Sequence, residues 1–95
     1  HPGSATIPAQ RAQVLAQQGR LAAAVQAQRR AARRAPERLE HRLNLAILLD
    51  RAGEQRAAAR EYRHVLETAE RGTAGLGMPL DAVRERYAYL VSQGG

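Results

Sequence analysis

The chain has ninety-five residues, with fifteen basic side chains, all arginine, against nine acidic ones, a formal charge of +6 and a pI near 11.2. The lack of cysteine excludes disulfides and thiolate metal sites, and no apolar run approaches the ~18 residues needed to cross a bilayer. One domain is expected, burying only about 60 to 65 percent of its unfolded surface. Its apolar content is largely alanine with three tyrosines and no other aromatic, so its core depends on close helix approach.

The first four residues, His1-Pro2-Gly3-Ser4, read as the remnant of a cleaved affinity tag ahead of a piece of a longer protein. A first helix is expected from about Pro8 to Gln18, ending at Gly19, where a left-handed cap suits glycine. A second follows from about Arg20 to Arg34, with Leu21, Ala24, Val25, Ala31 and Ala32 as its buried stripe. Pro36 suits the first turn of a third helix running to about Arg51, before Gly53. Its apolar residues Leu39, Leu43, Leu45, Ala46, Ile47, Leu48 and Leu49 cover more than one face, as in a helix held between neighbours. The fourth, about Glu54 to Glu70, buries Ala58, Tyr62, Val65, Leu66 and Ala69. Three glycines make 71–78 a loop, and a fifth helix from Pro79 to about Ser92 carries Leu80, Val83, Tyr87, Leu90 and Val91 on one stripe.

Sliding the chain along itself by 34 residues lays Ala12 on Ala46, Leu15 on Leu49, Gly19 on Gly53, Ala24 on Ala58, Val25 on Ala59 and Ala31 on Val65. Each unit is thus a helical hairpin, at 5–38 and 39–72. Residues 73–95 lie outside the register and read as a loop and a terminal cap covering the last apolar face.

A 34-residue helix-turn-helix repeat, with small residues where helices approach, the run Asn44-Leu45-Ala46 and proline at the unit boundary, resembles the tetratricopeptide repeat family. The resemblance covers about Ala5 to Gly72. It departs from the family at Pro8 and Gln28, where large aromatics are usual, and in lacking a proline near Glu70. It implies an all-α fold: a right-handed superhelical stack of two hairpins, with the fifth helix as a cap. It also implies a scaffold that binds a peptide or helical segment in a groove lined by the first helix of each hairpin. The stretch from Asn44 to Asp50 is further similar to repeat tails of bacterial pilus and secretion accessory proteins. That setting would allow a periplasmic location in place of a default cytoplasmic one.

If the implied groove carries over, its walls take Gln13, Ala16 and Gln17 from the first unit and Glu40, Leu43, Asn44, Ile47, Asp50 and Arg51 from the second. Asn44 can donate to and accept from a peptide backbone at once. The acids Glu40 and Asp50 would favour a partner with basic or aliphatic side chains. As an alternative, Arg29, Arg30, Arg33 and Arg34 could grip phosphate or an acidic surface. These positions equally suit a solvated helix C-terminus, and no aromatics interleave for base stacking, which sets nucleic acid behind a protein or peptide partner. Self-association is a third possibility, because two repeats are fewer than such stacks usually need. His41 and His64 have no ligand at i+4, no cofactor motif is present, and the hydroxyls Ser4, Thr6, Thr68, Thr73 and Ser92 form no catalytic pattern. The glycine loop lacks the lysine of a P-loop. No enzymatic activity, metal or cofactor is expected.

Overall fold

The computed structural model describes residues 4–69 and 80–94 and is all-helical over them. The order is α1 (Thr6–Gln17), α2 (Leu21–Arg34), α3 (Leu39–Arg51), α4 (Gln55–Ala69) and α5 (Leu80–Ser92). The expected loop at 71–78 lies outside the described residues. Each helix packs on its neighbour in the chain, α1 on α2, α2 on α3, α3 on α4 and α4 on α5. The molecule measures 38 × 31 × 17 Å, its short dimension fitting two helix layers spaced by about 8–10 Å.

The hairpin turns are chemically the same turn made twice. Gly19 and Gly53 take positive φ, 77° and 82°, which an L side chain adopts only under strain. The Gly19 N–H donates to Ala16 O at 3.0 Å and the Arg20 N–H to Leu15 O at 2.9 Å. Thirty-four residues later the Gly53 N–H donates to Asp50 O at 3.0 Å and the Glu54 N–H to Leu49 O at 2.9 Å. Both are Schellman caps, which satisfy helix-end carbonyls that would otherwise be orphaned. Burial repeats as well: Ala12 and Ala46, Ala24 and Ala58, and Ala31 and Val65 are all wholly buried.

Two helix starts differ from expectation. Helix α1 begins at Thr6, ahead of Pro8, whose missing N–H falls in the first turn, where no intrahelical acceptor exists anyway. Ser4 Oγ accepts from the Thr6 N–H at 3.1 Å and holds this end. Helix α3 begins at Leu39 and excludes Pro36. The ring of a proline disfavours helical backbone in the residue before it, and Ala35 sits at φ −136°, ψ 66°. The Arg38 N–H then closes a turn onto Ala35 O at 3.0 Å.

As its all-round apolar pattern predicts, α3 lies between α2 and α4 and buries Leu39, Leu43, Leu45, Ala46, Leu48 and Leu49. One core joins residues of all five helices, with Leu45, Leu49, Val65, Val83 and Leu90 among its fully enclosed side chains. Each such side chain contributes about 1.5–3 kcal/mol of apolar burial. On α5, Val83 and Leu90 carry the packing, while Val91, placed by its sequence spacing on the buried stripe, is 46% exposed. A helix advances about 100° per residue, so a position directly after Leu90 leaves the narrow face that meets α4.

Candidate functional site

Helices α1 and α3 flank an open groove of about 380 Å³. Its walls are Ala12, Gln13, Ala16 and Gln17 from α1 and Asn44, Ile47, Leu48 and Arg51 from α3, with the buried Gln28 of α2 bordering it. The spacing explains the gathering, because residues three and four apart share one helix face. That rule unites 13, 16 and 17 on one wall and 44, 47, 48 and 51 on the other. The small side chains of Ala12 and Ala16, wholly and largely buried, leave the space beside α3 unfilled.

Of the sequence-derived groove residues, Gln13, Ala16, Gln17, Asn44, Ile47 and Arg51 are brought together. Three others are not. Leu43 is only 3% exposed and belongs to the core, because it lies about 100° around α3 from Asn44. Asp50, seven residues on, shares that inward face and is drawn into contact with α4 and α5. Arg86 Nε donates to Asp50 Oδ2 and Arg86 Nη2 to Oδ1, each at 2.6 Å, and the Tyr62 hydroxyl donates to Oδ2 at 3.2 Å. The hydrogen-bonded Arg86 guanidinium holds the Asp50 carboxyl below its usual range despite some burial. Burial first, and then the adjacent Asp50 charge, push the Tyr62 phenol up to about 12. Glu40 does not line the groove and is engaged by Arg38 Nε at 3.1 Å. With both acids committed elsewhere, Arg51 is the one charged residue lining the groove among the described residues, which reverses the acidic character expected of it.

Ala12, Gln28 and Leu48 border the groove without having been expected there, and Gln28 is the polar one of the three. It is 2% exposed, and its Nε2 donates to His41 O at 2.9 Å, tying α2 to α3. The available signal was its position within the apolar stripe of α2, three residues after Val25 and three before Ala31, where a polar side chain must find a partner. His41 is itself buried, and neither of its ring nitrogens has a hydrogen-bond partner among the described residues.

The alternative arginine set stays dispersed on α2. Arg29 is half-buried, Arg30, Arg33 and Arg34 are exposed, and none lines the groove. Arg33 and Arg34 occupy the last turn, where cations meet the negative end of the helix dipole favourably, and Arg34 Nη1 reaches Ser4 O at 3.5 Å. Among the described residues no cluster of three or more His, Cys, Asp or Glu is placed to hold a metal ion, and no helix is long and apolar enough to cross a membrane. No protein-family model, curated protein or solved structure matches the chain significantly.

Proposed function

We propose that this chain is a protein-interaction scaffold of the tetratricopeptide kind, which binds an extended or helical segment of a partner in the groove between α1 and α3. The observation that carries the reading is the convergence of the exposed carboxamides of Gln13, Gln17 and Asn44 on one concavity. Three exposed carboxamides supply donors and acceptors in equal measure, which suits a peptide backbone whose N–H and C=O groups alternate. Ile47, with the small exposed parts of Leu48 and Ala16, provides the apolar contact, and such a mixture of apolar lining with a few placed polar groups is what small binding sites require. Arg51 adds one cation, so the favoured occupant is an aliphatic and polar segment carrying a carboxylate near that end.

The test is a displayed peptide library selected against the intact chain. Selected peptides should lose binding to the double variant Asn44→Ala/Ile47→Asp, whose helicity by circular dichroism stays unchanged because both side chains lie at the surface of α3 or only partly below it. Equal binding to the variant would remove the groove from the reading.

A further inference from the structure

The arginines of α4 have no part in the groove. Arg56, Arg60 and Arg63 stand at i, i+4 and i+7, which places them on one helix face at axial steps of about 6 and 4.5 Å. With Ala59 on the same helix and Tyr87 and Val91 on α5, they line a crevice of about 410 Å³ that shares no residue with the groove. Among the described residues, no acidic side chain lines this crevice. Arg63 Nε pairs with Glu67 at 3.3 Å across an exposed contact, while Arg56 and Arg60 have no ion pair among the described residues. Like charges at this spacing repel, and an anionic partner would relieve that repulsion.

We propose that the α4/α5 crevice docks an acidic, amphipathic segment of a protein partner, separate from whatever occupies the groove. Carboxylates at helical spacing meet the three guanidiniums, each of which can give two parallel hydrogen bonds to a carboxylate. An aliphatic side chain between them covers Val91, which is 46% exposed, and the open edge of Tyr87. The apolar strip decides between a protein and a nucleic acid. A phosphodiester backbone is charged along its whole length and has nothing to place on Val91. The Tyr87 ring is packed against the core and is not presented for base stacking.

The probe is a fluorescein-labelled helical peptide with Glu at i, i+4 and i+7 and Leu on the same face, compared with its scrambled sequence and with a labelled oligothymidylate. The patterned peptide should bind more tightly than either control, and its affinity should fall as salt rises. Arg56→Glu/Arg60→Glu, at two exposed positions, should weaken it roughly tenfold or more. Arg56→Gln/Arg60→Gln should give a smaller loss, and Asn44→Ala/Ile47→Asp none, which separates this site from the groove. Circular dichroism of each variant checks the fold. Absent binding of the patterned peptide, binding indifferent to both arginine pairs, or tighter binding of the oligothymidylate would each overturn the proposal, the last assigning the crevice to nucleic acid.

Discussion

Arg86 of α5 grips both carboxylate oxygens of Asp50 on α3, so two helices that do not follow each other in the chain are joined by a two-pronged ion pair. Asp50 also accepts from Tyr62 of α4, and a single carboxylate therefore ties three helices together. Its side chain is 11% exposed against 43% for Arg86, which leaves the pair partly screened by water. The pKa of Asp50 is depressed below 3.8, so its contribution is fully present above the unfolded value and is lost as pH falls through the folded one. Asp50→Asn should lower the thermal midpoint at neutral pH, and the gap from the parent chain should close as the medium is acidified below about pH 4. A gap that stays constant with pH would contradict the assigned role of the charge.

Tyr62 makes the complementary case at high pH. Its phenol is raised from 10.0 to about 12, so the folded state favours the neutral ring, and stability falls as pH rises from about 10 through 12. Tyr62→Phe removes one hydrogen bond to a charged acceptor, at a cost of about 1.5–3 kcal/mol at neutral pH. It should also flatten the alkaline limb that this residue contributes. Denaturant melts of the two proteins across that range measure both effects.

His41 is buried with neither ring nitrogen hydrogen-bonded among the described residues, and an unsatisfied buried polar group costs about 1–3 kcal/mol. His41→Leu keeps a side chain of comparable bulk and removes the unmet groups, while the His41 carbonyl still accepts from Gln28. The substitution should raise stability by about 1 kcal/mol, read as a higher midpoint in urea at unchanged slope.

The two hairpin turns offer an internal comparison. A Cβ added at Gly19 or Gly53 would meet nothing within 4 Å, so the cost of alanine there is that of a positive φ alone, about 1–2 kcal/mol. Gly19→Ala and Gly53→Ala should therefore destabilise by equal amounts. Leu15 and Leu49 occupy equivalent repeat positions but differ in burial, partial against complete. Leu49→Ala should cost about 2–5 kcal/mol and Leu15→Ala clearly less.

Gly19, Gly53 and the paired alanines were legible in the sequence because each answers a local rule: a cap needs positive φ, and a close helix contact needs a small side chain. The central place of α3 was legible from its all-round apolar pattern. Leu43 and Asp50 were misplaced because spacing gives angles around a helix but not which neighbour each angle faces, and α4 and α5 claimed that side. Gln28 escaped notice because its burial depends on a carbonyl 13 residues away in α3, and no local pattern signals such a partner. The stripe of Arg56, Arg60 and Arg63 was present in the sequence, but its significance depends on α5 lying alongside it.

The groove between α1 and α3 is tested most directly by mapping backbone amide shifts in the labelled chain as a library-selected peptide is added. Occupancy there requires the largest changes at Gln13, Gln17, Gln28, Asn44 and Arg51, with α5 left nearly unaltered. Changes centred on α4 and α5, or on the exposed face of α1 around Val14, would contradict it.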